Sequence, residues 1–265
     1  MELTPGLRFD LFRSGDASAF AADGRLALRA DVNKYVRLLH AVGLAHQPPS
    51  FIVPLPGLAV GNLQGGLQTS VQASSGVEVE WPKVLTATVT VFDNVFLNMS
   101  DTLSVRPPGG PASSEPRSQG SAAGLEVYVR RRLTSHLGGF ISYTLSRSTR
   151  TEDANRFPSA FDRTHVLNTA LAYDIGKGWR AGGRLTFYTG APLFGSRSQP
   201  KQSHPPRDPP FYRIDLRVEK RWTFKASRWL SLVAEMMNVT LHKEVVNGTD
   251  VGPISVPSLG LEGGL

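Results

Sequence analysis

The side chains best equipped for chemistry in this chain are carboxylates and arginines set two residues apart. Arg213, Asp215, Arg217 and Glu219 alternate with Tyr212, Ile214, Leu216 and Val218. In an extended strand, residues two apart project from the same face. The four charged residues therefore form a ladder opposite an apolar stripe. Two carboxylates on one face could serve as general acid and base if a closed cleft held a glycosidic bond between them. The interleaved arginines argue instead for charge-assisted pairing along a wet wall. Glu78 and Glu80 repeat the pattern beside Val77, Val79 and Trp81.

Other chemistries find little footing. Of the six histidines, His40 and His165 fall in expected strands, His136 in a turn, and His46, His204 and His242 near loops. No pair has the helical i, i+4 spacing of a zinc site, and no cysteine accompanies them. His165, beside Asp162 and Arg163, reads as structural. No Gly-x-Ser-x-Gly turn presents a nucleophile. Gly61, Gly65 and Gly66 lie in a proline-rich stretch and not at a strand–helix junction, so they do not form a phosphate cradle. The expectation is no catalytic residue, no metal, no cofactor and no enzyme. A formal charge of +7 is spread along the chain without a basic block, which speaks against nucleic acid.

The elements that must position the ladder are strands. Alternation of apolar and polar residues marks 7–11, 25–31, 35–45, 69–81, 84–98, 122–132, 138–147, 164–174, 179–189, 212–222, 229–241 and 254–265, about twelve in all. Segments expected to be long connections are 14–24, 46–66, 101–120, 151–162 and 190–210, several of them rich in proline, glycine or serine. Short turns fall at 32–34, 82–83, 134–136, 176–178 and 223–227. Long and short connections alternate. All four tryptophans, Trp81, Trp179, Trp222 and Trp229, stand beside short ones.

Strands of roughly ten to thirteen residues suit a tilted bilayer crossing. Indole rings favour the membrane–water interface, which makes the four tryptophans a candidate interfacial belt. Phe96, Tyr143, Phe187, Tyr188, Phe211 and Tyr212 gather towards the opposite ends. No run of about 18 apolar residues offers a membrane helix. The fold class expected is all-β: an antiparallel transmembrane β-barrel, or part of one, spanning 1–265. Leu125, Val127, Val129, Ile214, Leu216 and Val218 would face lipid, with Glu126, Arg130 and the ladder facing a lumen. A soluble sandwich or propeller would show the same alternation around a dry core.

Local motifs add a resemblance. Phe161-Asp162-Arg163-Thr164-His165 resembles the Asp-x-x-His strand opening of TonB-dependent outer-membrane receptors, and Tyr188-Thr189-Gly190-Ala191-Pro192 their Gly-x-Pro strand exit. Residues 212–222 resemble the strand before the last periplasmic turns, and Glu235-Met236-Met237-Asn238 an Asn-containing exit. His46-Gln47-Pro48-Pro49-Ser50-Phe51 is similar to a loop entry. The resemblance covers about 50–265. It implies a bacterial outer-membrane barrel for energised uptake of a scarce ligand such as a metal chelate, with specificity in loops near 46–68, 99–120, 150–162 and 190–210. Known members have 22 strands, a plug in the lumen and a segment that contacts TonB. This chain would supply roughly the last twelve strands. Its N-terminus lacks the pattern of a signal peptide, and nothing in it resembles the plug or the TonB-contacting segment. The expectation is a fragment whose plug and earlier strands lie elsewhere. It ends Gly263-Gly264-Leu265, where family barrels usually end in an aromatic residue. The other readings are a self-contained small pore or adhesin, and a soluble β-rich binding module.

Overall fold

Period-two alternation runs through the computed structural model as one antiparallel sheet. The structure describes residues 1–14, 16–48, 63–82, 84–99, 118–133, 136–152, 154–193, 202–224 and 228–264. Its strands are β1 (Glu2–Ser14), β2 (Ala17–Asp31), β3 (Val36–Gln47), β4 (Gln68–Trp81), β5 (Leu85–Met99), β6 (Ser118–Arg131), β7 (Leu137–Glu152), β8 (Asn155–Pro158), β9 (His165–Gly176), β10 (Trp179–Tyr188), β11 (Phe211–Thr223), β12 (Trp229–Met237), β13 (Glu244–Val246), β14 (Thr249–Val251) and β15 (Val256–Gly264). The main sheet has 13 strands. Short β8 hangs on β7, and the rest follow in chain order from β1 through β12 to β15. β13 and β14 pair separately as a hairpin. Among the described residues β1 pairs only with β2 and β15 only with β12, so the sheet is open. Several strands are long: β7 has 16 residues and β5 has 15. Soluble strands commonly have about 5–6.

Two expected connections prove to be strand. Within 14–24, expected to be a polar connection, residues 17–24 are strand although Ala17, Ser18, Asp23 and Gly24 are weak strand formers. They continue a register with β1 in which Arg13 faces Ser18 and Leu7 faces Gly24, so cross-strand pairing overrides propensity. Within 151–162, β8 folds back onto the end of β7. The last strand begins at Val256, after the β13–β14 hairpin.

Residue distribution is inverted relative to a soluble domain. Leu216, Val218, Leu171 and Tyr173 are exposed, whereas Glu219, Asp162 and Ser231 are buried. On β11 the charged face is the more shielded of the two. A charged face is shielded in this way when the sheet curves around it, leaving the apolar face convex. The convex face offers no dry core; burying it requires a surrounding apolar medium.

Register also sets the slant of the strands. The row containing Trp81 runs through Leu85, Arg131, Gly139, Leu171 and Gly183 to Leu216. Trp222 lies six positions further along β11. Six strand spacings of about 4.8 Å against six residues of about 3.3 Å bring Trp81 and Trp222 level at a tilt of about 35°. That angle lies within the range of membrane barrels.

Candidate functional site: a charged face and a clasp at one end

The β11 ladder is a network of pairs. Arg213 Nε lies 3.0 Å from Asp215 Oδ1. Arg217 donates to Glu235 Oε1 at 2.5 Å and to Glu262 Oε1 at 3.4 Å, crossing β12 to reach β15. It also lies 3.7 Å from Glu219. Glu219 accepts from Ser231 Oγ at 2.9 Å and from Arg221 Nε at 3.1 Å. Asp215 accepts the backbone N–H of Asn238 at 2.9 Å. Register places Arg184 opposite Asp215 and Arg180 opposite Glu219 on the neighbouring strand. A second knot sits on the same face of β3 and β4, where Arg37 binds Asp31, Glu78 and Glu80 at 2.9, 2.7 and 2.8 Å. Carboxylates engaged in this way by arginine suit a fixed, hydrated wall better than proton transfer, which needs a poised acid or base.

All four tryptophans lie at the short-connection ends of their strands. Trp81, Trp179 and Trp222 are exposed on the apolar face. Lys220, on that face, holds its ammonium 5.1 Å from the centre of the Trp179 ring and 5.9 Å from that of Trp222, and donates to the Lys177 carbonyl at 2.6 Å. Trp229 departs from the expected belt. It pairs with Thr223, which puts it on the charged face, and Arg221 lies 4.1 Å over its ring. Trp222 pairs with Leu230, so the register of β11 and β12 gives Trp229 the opposite parity. The aromatics at the long-connection ends are also divided. Register puts Tyr143, Phe187 and Tyr212 with the apolar face, and Phe96, Tyr188 and Phe211 with the polar one.

The long-connection end carries the motif residues. Asp162 is fully buried; its Oδ1 accepts the Ser148 backbone N–H at 2.5 Å and its Oδ2 pairs with Arg207. Arg207 also donates to the carbonyls of Asp162 and Gly190 at 3.0 and 3.2 Å. A Cβ on Gly190 would fall 1.7 Å from the Asp208 carbonyl oxygen, so only glycine allows this approach. Asp208 in turn accepts the backbone N–H groups of Asn247 and Gly248, both at 2.9 Å. Arg163 stacks on Tyr188 at 4.1 Å, and the Tyr188 hydroxyl donates to Glu244 at 2.5 Å. Asn238, at φ 52, donates to the carbonyls of His242 and Ile254. The strand openings and exits named by sequence thus converge on one clasp. Sequence reading missed Arg207, Asp208 and Glu244; the Arg-Asp pair following Pro205-Pro206 was the available signal.

The histidines are dispersed. His46 binds Asp23 at 2.6 Å, His165 meets the Tyr143 hydroxyl at 2.8 Å, and His242 stacks on Tyr212 at 4.0 Å. Among the described residues no three His, Cys, Asp or Glu side chains form a metal-sized group. Of the loops expected to hold specificity, 49–62, 100–117, 153 and 194–201 lie outside the described residues. A cavity between β3, β4 and β5 is lined by Gln47, Gln68, Ser70, Gln72 and Phe96.

A family profile described as TonB dependent receptor-like, beta-barrel matches residues 1–239. No curated protein matches the chain in sequence. Among solved structures, it resembles the ferric citrate transporter FecA in the unliganded form, with 15% identity and a TM-score of 0.69 over 98% of this chain and 42% of that one. The FrpB iron transporter from Neisseria meningitidis aligns at 14% identity and a TM-score of 0.68, again over 98% and 42%. The copper transporter OprC aligns at 16% identity and a TM-score of 0.62, over 92% and 39%. At these identities the likeness shows the fold. The chain spans less than half the length of each of these structures.

Proposed function

The chain belongs to the TonB-dependent receptor β-barrel family, and from that premise we propose that it forms part of the wall of a bacterial outer-membrane receptor for energised uptake of a metal or metal chelate. The observation that carries the reading is the two-faced β11, with Leu216 and Val218 exposed on one side and the paired ladder from Arg213 to Glu219 on the other. In lipid the apolar face is at home and the charged face borders water. The ladder then lines the lumen, and Trp81, Trp179 and Trp222 sit at the interface beside the short turns. Trp229 lies inside. The free edges of β1 and β15 call for strand partners, because unpaired backbone in hydrocarbon costs several kcal/mol per group. Those partners, a plug and the contact with TonB are assigned to segments beyond this chain. A metal cargo agrees with the similar structures, described as a ferric citrate transporter, an iron transporter and a copper transporter.

The test uses the absence of cysteine in this chain. Leu216→Cys and Arg217→Cys are introduced singly into the receptor in whole cells. A membrane-impermeant, water-soluble maleimide should label Arg217→Cys through the lumen and leave Leu216→Cys unlabelled. Unfolding the receptor in urea should open Leu216→Cys to the same reagent, since the thiolate that reacts forms only in water. Equal labelling at both positions before unfolding removes the two-faced reading. Cargo is read separately, from growth on ferric or copper chelates as sole metal source with and without the receptor gene.

A further inference from the structure

Among the described residues on the apolar face of β6 and β7, charged side chains stand only near the ends. Arg131 lies at the short-connection end and Arg147 towards the other. Between them that face carries Leu125, Val127 and Val129 on β6 and Ile141, Tyr143 and Leu145 on β7. Arg131 is paired with Gly139, and Arg147 follows Gly139 by eight residues. At about 3.3 Å per residue and a tilt of about 35°, that stretch rises about 22 Å. The apolar band of a membrane barrel is about 25 Å tall. The two arginines therefore bracket the hydrocarbon, and Arg147 stands where it gives way to the headgroups of the outer leaflet.

A second arginine is drawn towards it. Arg156 on β8 pairs with Thr151 and so shares the face of Arg147. Its exposed side chain reaches back along the strand, and Nε donates to Thr149 Oγ1 at 3.2 Å. Thr149 is the next residue after Arg147 on that face; it is buried, and its hydroxyl also lies 3.2 Å from Ser121 Oγ. This bond occupies Nε and leaves the two terminal nitrogens of Arg156 to donate elsewhere. Arg147 has a side chain 48% exposed, and Asp162, 3.9 Å away, is already held by Arg207. Arg163, which follows Asp162, is stacked on Tyr188 instead. Asp93 lies two strands from Arg147 in the row through Ala123. The slant of the strands sets it about 5 Å nearer the short-connection end. Two guanidinium groups are thus brought to one corner by a buried threonine, and they repel unless an anion joins them.

We propose that this corner binds the phosphate of an outer-leaflet lipid, a phosphorylated glycolipid headgroup; the proposal rests on the membrane reading above. Planar guanidinium forks match the oxygens of a phosphate, and two of them can share one. The phosphate sits on the Arg156 side of Arg147, away from Asp93. The acyl chains of the same molecule descend over the exposed Leu145 and Ile141. A free phosphate has no use for that apolar slope, and a lipid without phosphate leaves the two cations facing each other. The lipid ties the β7–β8 end, where Asp162 and Arg207 close their clasp, to the surrounding leaflet.

The experiment titrates the whole receptor, purified in a non-ionic detergent, with lipid A carrying both its phosphates, and reads the bound lipid by native mass spectrometry. Arg147→Gln with Arg156→Gln should lower the affinity at least ten-fold. Arg131→Gln with Lys220→Gln removes the same charge at the opposite rim and should leave it unchanged. Lipid A stripped of its phosphates should bind the parent receptor at least ten-fold more weakly, and a large excess of inorganic phosphate should not displace the intact lipid. Protection of Leu216→Cys from the water-soluble maleimide, repeated with Arg147→Gln and Arg156→Gln in place, checks that the wall is intact. With Leu216→Cys protected, unchanged affinity of the double variant overturns the proposal. So does equal binding of the stripped lipid, an equal loss from the opposite rim, or displacement by inorganic phosphate. If Leu216→Cys labels as fast as Arg217→Cys, the membrane reading itself fails and takes the lipid site with it.

Discussion

At the short-connection end, the turns close on themselves. Lys177 and Gly178 join β9 to β10 with both residues at positive φ, 52° and 79°, the geometry of a tight hairpin turn. The side chains beside it, Trp179, Lys220 and Trp222, are fastened to one another at the surface. At the long-connection end, the backbone is fastened by side chains from distant segments, Asp208 and Asn238 buried and Arg207 half-buried: Asp162 by Arg207, Asn247 and Gly248 by Asp208, Ile254 by Asn238. One end is built from local geometry, the other from tertiary ties. The ties fall where the long connections leave the sheet, so they give those connections a rigid rim.

The sharpest way to break this comparison is to cut a tie. Asp162→Ala removes a fully buried carboxylate and leaves the half-buried Arg207 guanidinium and the Ser148 N–H without it. Removing one partner of a buried pair costs about 3–5 kcal/mol. Urea unfolding of the receptor in lipid or detergent should show that loss. If Asp162→Ala costs less than 1 kcal/mol, the long-connection end is not held by its clasp.

Between the two ends the apolar face should govern. Leu216→Arg places a charge on that face, and near the midplane such a change costs about 2–4 kcal/mol. The same unfolding measurement checks it, with Arg217→Leu on the opposite face as the contrast. If Leu216→Arg costs no more than Arg217→Leu, the distinction between lipid and lumen is erased.

Glycines sharpen the comparison further. Gly190→Ala drives a Cβ into the Asp208 carbonyl and should cost about 1–3 kcal/mol, the range for overpacking. Gly176, at φ 94, has open space around its would-be Cβ. Gly176→Ala at the short-connection end should cost only the strain of a left-handed residue, about 1–2 kcal/mol. Unfolding midpoints of the two variants in one detergent give the difference directly. A larger loss at Gly176 would place the tighter packing at the wrong end.

Legibility in the sequence follows the same divide. The facing of Arg213 to Glu219, the short turns and the approximate strand set are local, and period-two alternation carries them. The strand from Ala17 to Gly24 was not legible, because its support comes from β1 and not from its own residue types. The clasp was half legible. Asp162, His165, Gly190 and Asn238 stood out as motif residues, but their partners did not, since Arg207 lies 45 residues from Asp162. Nothing in a single sequence states which arginine closes a long connection. The face of Trp229 was missed for a related reason: residue type favours an interface, while the register of β11 and β12 decides the side.

The smallest expected effect tests the short-connection end by itself. Lys220 is the cation between Trp179 and Trp222, on the apolar face yet one step from water. A lysine there can lay its methylene stem along the apolar surface and carry its ammonium to the rim. Its ring contacts are those of an exposed cation–π site, worth about 0.5–1 kcal/mol. Lys220→Gln should therefore lower stability by no more than that, and the loss should shrink as salt screens headgroup charge around the rim. Arg221→Gln, beneath Trp229 on the charged face, removes a partner of buried Glu219 and should cost more than Lys220→Gln at every salt concentration. Tryptophan fluorescence during urea unfolding reads both. If the order is reversed, the rim tryptophans are packed against something dry, and the short-connection end is held by more than its own turns.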